Sequence, residues 1–435
     1  MNDALLEVAE LLRDRLDSSG VRRVATRLLG LRLVAGRDSV PDWDTIIDGG
    51  LPAAERALTD LATRDPRLGT DPLPELPADR VRAVLRALGR IDPADDDVLG
   101  EAFTHLLGLL ARAEGRRGGQ FYTPPCLRTL LASLVPVQDA VVYDPCCGSG
   151  GLLVEAAHAG AARVVGQELN PATRELAAWN GLLHGLDVDL GPSAGDTLRQ
   201  DLHPGLRADA VLANPPFNTS RWGDEELARS DARFAWGKPS LRNANFAWLQ
   251  HILSHLAEGG RAAVILTSGS LAGRDLRERA LREALVHDDR VEAIIALPDQ
   301  LFHNTVIGAC VWVLGRARGR VLFADLREAG RMEDRASRVL DPEDLAPLLD
   351  ALGRHRDGED IDAPGLARSV PAGELDEDLT PGRWIRPSLD LDGVLDVDAA
   401  VQRVVSLTRQ AQRLDRTLLH ALAGLQDEHA DDGRP

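Results

Sequence analysis

Apolar positions in the first 112 residues recur every three to four residues. Leu5, Leu6, Val8, Leu11, Leu12 and Leu16 form one such stripe, and Val21, Val24, Leu28 and Leu31 another. This spacing puts an apolar face on a helix, so residues 1–112 are expected to be a helical N-terminal domain. A Pro- and Asp-rich stretch, DPRLGTDPLPELPADR, interrupts it, and further helices are expected near 79–90 and 101–111. Gly115–Gly119, GRRGG, reads as a joint.

From about residue 140 the period changes. Short apolar runs at 141–144, 163–168, 209–214, 261–266, 291–297 and 308–314 are mostly separated by helical stretches of ten or more residues. Strands alternating with helices predict βαβ units and a mostly parallel, doubly wound α/β sheet. The last two runs are joined only by PDQLFHNTVI, short for a parallel crossover, so that pair is expected to be antiparallel. The expected division is therefore a helical domain (1–112), an α/β core (113–330), an acidic, irregular region (331–393) and a C-terminal helix (394–435). In that last helix Val397, Ala400, Val404, Leu407, Ala411, Leu414, Leu418, Ala421 and Leu425 trace a heptad seam. A seam of this length calls for a partner, or for docking on the chain's own core.

Composition and charge change this picture little. With 435 residues, 44% of them apolar and 27% charged, the chain has room for two or three globular domains. No apolar run reaches the ~18 residues of a membrane span, and MNDALLEVAELLRDRLDSS lacks the basic and apolar regions of a signal peptide. A cytoplasmic chain with no membrane association is expected. Cys126, Cys146, Cys147 and Cys310 have no zinc-like spacing and are expected to be reduced thiols; no histidine is assigned to a metal. The net charge of −18 argues against a nucleic-acid partner until its distribution is considered. It amounts to −5 over residues 1–100, −3 over 101–330 and −10 over 331–435, so the middle of the chain can carry a basic groove.

The candidate chemistry lies at the ends of the expected strands. Asp144-Pro-Cys-Cys-Gly-Ser-Gly-Gly151 closes the first strand. Glycines such as Gly148 and Gly150 let a backbone turn approach a ligand and aim N–H groups at it, while Asp144 suits a cationic amino group. Glu168, at the end of the second strand, can accept both hydroxyls of a ribose. Asp196, in GDTL after a third strand, can accept from an exocyclic amine. These are the three parts of S-adenosylmethionine, although a tight turn with two acidic caps would give the same letters. Asn214-Pro215-Pro216-Phe217 ends the fourth strand and points into the same crevice. An aryl amine is a poor nucleophile because its lone pair is delocalised. The Asn214 side-chain oxygen and the Pro215 carbonyl can hold its two N–H bonds and favour a pyramidal nitrogen, on a backbone stiffened by two prolines. Phe217 offers a face for a flat ring. Upstream, Gly119-Gln-Phe121-Tyr-Thr123-Pro-Pro125 is a stiff segment that taken alone reads as a linker. The long stretch after the NPPF strand interleaves Arg221, Trp222, Arg233, Lys238 and Arg242 with further aromatics, which suits a nucleic-acid backbone and unstacked bases.

The order of these segments, GQFYTPP, DPCCGSGG, GQELN, GDTL, ANPPF, NANFAWLQHIL, EGGRAAVIL, VEAIIALPDQLFHNT and LTPGRWI, resembles the modification subunits of type I restriction–modification systems. These are N6-adenine DNA methyltransferases, and the resemblance covers roughly residues 101–385. It implies a Rossmann-like methyltransferase core that uses S-adenosylmethionine. Phe121, Thr123, Asp144, Gly148 and Gly150 would lie at the cofactor, Thr123 against its methionine part; Glu168 would hold the ribose and Asp196 the adenine. Asn214, Pro215, Pro216 and Phe217 would hold a flipped base of double-stranded DNA. It also implies a separate specificity subunit, for which the heptad seam of the C-terminal helix offers a docking surface, and a restriction subunit as a further partner. Where the family usually carries Ala and Thr, this chain has Cys146 and Ser149. Two other functions compete: methylation of an RNA base or a protein amide, which the NPP[FY] motif also serves, and a non-catalytic cofactor-binding scaffold.

Overall fold

The N-terminal stripes form helices whose starts are set by short acidic side chains. The computed structural model describes residues 2–13, 15–37, 39–91, 100–110, 122–302, 308–334, 337–387 and Thr408. Helices α1 (Asn2–Arg13), α2 (Ser18–Val34), α3 (Trp43–Arg64) and α4 (Ala78–Gly89) precede a helical segment, α5, at 100–110. Asp17 accepts from the Gly20 amide and Asp42 from the Thr45 amide, each satisfying a donor that the first turn leaves without a partner. The apolar faces meet: Leu5, Val8, Leu12, Val24, Leu28, Leu31, Ile46, Val84 and Leu88 share one buried cluster.

That cluster continues into the α/β part. Its strands are β1 (Val141–Asp144), β2 (Arg163–Gly166), β3 (Val188–Asp189), β4 (Ala208–Ala213), β5 (Leu256–Thr267), β6 (Val291–Ala296), β7 (Ala309–Leu314) and β8 (Arg320–Asp325). After them come β9 (Arg331–Met332), β10 (Arg338–Val339), β11 (Asp362–Ala363) and β12 (Ala367–Pro371). Ten of these form one sheet in the order β11-β12-β8-β6-β7-β5-β4-β1-β2-β3, and β9 and β10 pair separately. Strands β3, β2, β1, β4 and β5 run parallel, while β7 runs antiparallel to both β5 and β6, as the short connection predicts.

Alternate side chains of each strand go to opposite faces. Val142, Val164, Leu212, Ile265, Ile295 and Val313 face helices α6 (Pro125–Leu134), α7 (Gly151–His158) and α8 (Pro171–Leu183). The other face carries Tyr143, Val165, Val211, Val264, Ile294 and Trp312. It packs on α10 (Asn245–His255), α12 (Leu276–His287) and α14 (Pro381–Trp384); α9 (Glu225–Ser230) and α11 (Gly269–Ala272) are short connectors before α12. Helices on both faces of a mostly parallel sheet are the doubly wound architecture.

Helix α8 is also where the N-terminal bundle docks. Trp179 Nε1 donates to the Leu68 carbonyl at 3.1 Å, and Arg27 pairs with Glu175 (Nη2–Oε2 2.7 Å). A methyl group on Gly30 of α2 would overlap the Trp179 ring, so that position needs glycine for the two helices to meet.

The described residues of 331–387 correct the expectation of irregular chain over 331–393. They contain α13 (Pro342–Arg356), the edge strand β11 and its neighbour β12, which runs antiparallel to β8. Its prolines do not break structure: Pro342 sits in the first turn of α13, where no N–H is needed, next to a capping box of Asp341 and Asp344. Leu345, Leu348, Ala351 and Leu352 bury one face while the acidic residues keep to the other. The C-terminal heptad region lies outside the described residues, as do Phe121 and the GRRGG joint.

Candidate active site

Three turns follow the carboxyl ends of β1, β2 and β3, and a fourth follows β4. Strands β2 and β4 flank β1 on opposite sides, so the chain order reverses there and a crevice opens above the strand ends. Gly148 (φ 55°) and Gly150 (φ 80°) take left-handed conformations in the β1 turn. At Gly150 a side chain would also press on Ala177 of α8, 3.3 Å away.

The acidic residues stitch the turns together. Glu168 accepts from the Gly148 amide (3.0 Å) through one oxygen and from the Asn170 amide (2.8 Å) through the other. Thr197 Oγ1 donates to the Pro145 carbonyl at 2.6 Å, tying the Asp196 turn to the β1 turn. Asp196 is half-buried and caps the Leu198 amide. Asp144 lies under the loop, only 1% exposed, and accepts from the Cys146 amide at 3.0 Å. Burial pushes its carboxyl up to about 7, with a further contribution from the charge of Glu168. Glu168 is also raised by burial, against the hydrogen bonds from Asn170 and Gly148. A buried and a half-buried carboxylate beside backbone donors suit a ligand that brings a cationic amino group and sugar hydroxyls. Leu169, next to Glu168 and 63% exposed, offers an apolar surface for a flat ring. These groups fit S-adenosylmethionine.

Asn214 stands at the end of β4, beside β1 in the sheet, and its Nδ2 donates to Thr123 Oγ1 at 3.2 Å. The stiff segment before α6 and the NPPF turn therefore meet in the crevice. Pro215 is buried and Pro216 exposed. Phe217 is half-buried, with its ring edge-to-face on Phe302, centroids 5.4 Å apart. The turn is pinned by Asn218, in a left-handed conformation, whose Oδ1 accepts from Asn243 Nδ2 (3.0 Å), Asn245 Nδ2 (3.4 Å) and Thr267 Oγ1 (3.3 Å).

The long stretch after NPPF is where the sequence expectation needs most correction. Trp222 is 3% exposed, donates to the Ser240 carbonyl and packs edge-to-face on Phe234, so it cannot stack on a base. Arg233 is bound to Asp231, donates to the Thr197 and Leu198 carbonyls and touches His251 Nδ1, so it braces the Asp196 turn and is not free for phosphate. Lys238 pairs with Glu225. The interleaved aromatics form a small core of their own with Ala228, Ala247 and Trp248. The side chains of Arg221 and Arg242 remain exposed, without hydrogen-bond partners among the described residues.

Several residues that hold the site escaped the sequence reading. Gln167, fully buried, donates to the Gly195 and Gln200 carbonyls and accepts from the Leu202 amide, fixing the Asp196 turn. Asn180 donates to the Ser149 carbonyl from α8. Gln167 lies within the GQELN segment, the only signal that could have pointed to it. A second missed cluster is Asp201, His251 and His255, whose potential ligand atoms lie within 4.8 Å of one another. Their atoms are engaged in hydrogen bonds: His255 bridges Asp201 and the Leu206 carbonyl, and His251 lies between Tyr143 and Arg233. Burial, then His255 and Arg233, hold His251 well below the usual histidine range, and a guanidinium on its Nδ1 is poor company for a metal cation.

Known proteins share both sequence and fold. The chain is 37% identical over 329 residues to the methylase subunit of the type I restriction enzyme HindI of Haemophilus influenzae, covering 72% of this chain and 74% of that one. It is 29% identical to the MjaIX methylase subunit of Methanocaldococcus jannaschii, of which it covers 57%. The methyltransferase subunit of a type I restriction–modification system from Streptococcus thermophilus superposes with a TM-score of 0.76 over 88% of this chain and 98% of that one, at 23% identity. A modification subunit of a type I restriction enzyme from Vibrio vulnificus gives 0.64 over 87% and 95%, at 18% identity. At these identities the superpositions show the shared fold. The family model for N-6 DNA methylases matches residues 94–389, which takes in every turn of the crevice, and the chain belongs to that family.

Proposed function

We propose that the chain transfers a methyl group from S-adenosylmethionine to N6 of adenine in double-stranded DNA, as the modification subunit of a type I restriction–modification enzyme. One observation carries the reading: the Asn214-Pro-Pro-Phe217 turn and the glycine turn end adjacent parallel strands, β4 and β1, and open on one crevice. When bound, the cofactor supplies an electrophilic sulfonium methyl, whose C–S bond breaks as the new N–C bond forms. The Gly148–Gly150 turn, Asp144 and Thr123 would hold its amino-acid part, Glu168 the ribose, and Asp196 with Leu169 the adenine. Asn214 Oδ1 and the Pro215 carbonyl accept the two N–H bonds of the target amine, which localises the nitrogen lone pair. As the amine gains the methyl group it becomes cationic, and these acceptors stabilise it until one proton leaves to solvent. Phe217 stacks on the flipped base, which has left the duplex. Arg221 and Arg242 reach toward phosphate.

Sequence choice would come from a separate specificity subunit, docked on the heptad region 394–435, with a restriction subunit completing the enzyme. Modification of DNA places such a complex in the cytoplasm; no described helix is long and apolar enough to cross a membrane. The test is a transfer assay with tritiated cofactor and DNA, RNA or protein, run with and without the specificity subunit. Label on adenine N6 of DNA supports the proposal. Label on RNA or protein alone, or none despite cofactor binding, favours the amide methyltransferase or the scaffold.

A further inference from the structure

Thr123 Oγ1 accepts from Asn214 Nδ2 at 3.2 Å. We infer that Thr123 is a positioning residue for Asn214, holding the amide in the one orientation that presents its oxygen to the target amine. The inference rests on the methyltransferase reading and goes beyond a contact to the cofactor. A primary amide has an acceptor at one end and a donor at the other. Its terminal torsion is soft and roughly two-fold, so an untethered Asn214 would present either end to the substrate. The reaction tolerates only one. An NH2 group facing the aryl amine sets donor against donor, whereas the oxygen accepts. The Thr123 hydroxyl can donate or accept; once its proton is committed to the amino-acid part of the bound cofactor it can only accept, and the amide end turned to it is then Nδ2.

The two ends of this hydrogen bond are both held rigidly. Thr123 precedes Pro124 and Pro125, which occupy the cap and first turn of α6, and α6 is anchored through the buried Leu127, Leu130 and Leu131. Asn214 follows a strand interior in the sheet and precedes two prolines. The side chains are half-buried, so the bond forms at the crevice wall with little competition from water.

The test compares Thr123→Val, which keeps the shape and removes the hydroxyl, with Thr123→Ser, which keeps the hydroxyl. Each full-length variant is purified with its specificity subunit and assayed on unmethylated plasmid DNA. Affinity for S-adenosylhomocysteine is measured separately by calorimetry. Loss of a net hydrogen bond predicts kcat about threefold to tenfold lower for Thr123→Val. The S-adenosylhomocysteine Kd should weaken by clearly less than kcat falls, and Thr123→Ser should recover most of kcat. Parental kcat in Thr123→Val overturns the inference. So does a kcat loss matched by an equal loss of cofactor affinity, which would make Thr123 a cofactor contact alone. A parent complex that binds S-adenosylhomocysteine but methylates no DNA overturns the methyltransferase reading itself, and the inference with it.

Discussion

The proposed roles of Asn214 and Asp144 concern different partners, and measurement can tell them apart. Asn214→Ala should leave the S-adenosylhomocysteine Kd near that of the parent while lowering methyl transfer by roughly 10²–10³, the usual cost of one preorganised acceptor. Calorimetry and a tritium transfer assay on the same preparation check both halves. Asp144 carries a pH dependence. Its carboxyl is raised to about 7, chiefly by burial, so the protein without cofactor keeps it protonated below that pH. Folding alone therefore favours the neutral acid, and its contribution to stability is lost as pH rises from the unfolded value of 3.8 through about 7. A ligand ammonium reverses the preference, because it needs the carboxylate. Cofactor affinity should consequently rise about tenfold between pH 6 and pH 8, and Asp144→Asn should flatten that rise. A flat profile in the parent would mean that Asp144 stays ionised and serves only the Cys146 amide.

At the scale of elements, most of the frame was legible. The apolar runs ending at Asp144, Leu297 and Leu314 mark strands to within a residue or so, because a strand covered on both faces is apolar throughout. Strands β11 and β12 were not legible. They lie at the sheet edge, are short, and Asp362 and Arg368 keep a polar face, so acidic composition hid them. The placement of the turns was also readable, because Gly148, Gly150, Glu168 and Asn214 sit just beyond the ends of β1, β2 and β4. The 218–244 stretch was not. Sequence shows cations among aromatics but not that Asp231 claims Arg233, or that Trp222 and Phe234 claim each other. Trp222→Ala should thus act as a core deletion, costing about 3–5 kcal/mol of stability by chemical denaturation. A variant that kept its stability but lost DNA affinity would restore the original reading of Trp222 as a base platform.

At the scale of the whole molecule, the heptad seam from Val397 to Leu425 predicts a partner. Exposing such a seam to water costs roughly 25 cal/mol per Å² of apolar surface. Deleting residues 394–435 should abolish co-purification with a specificity subunit and sequence-specific methylation. Cofactor binding should persist, because the described side chains of the crevice lie between Thr123 and Phe302. A truncated chain that still forms the complex would locate the docking surface within residues 1–393.

The seat of the N-terminal bundle on α8 has a consequence for how this polypeptide can be divided. Arg27 on Glu175, the Leu68 carbonyl on Trp179 and the shared apolar cluster join residues 2–91 to the catalytic half without using the peptide chain between them. Helix α8 is capped by Asn170, whose amide shares the Glu168 carboxylate with Gly148. The bundle thus backs the helix that frames the Glu168 turn. If these contacts suffice to hold the two parts together, a chain cut between residues 91 and 100 should still elute as one species.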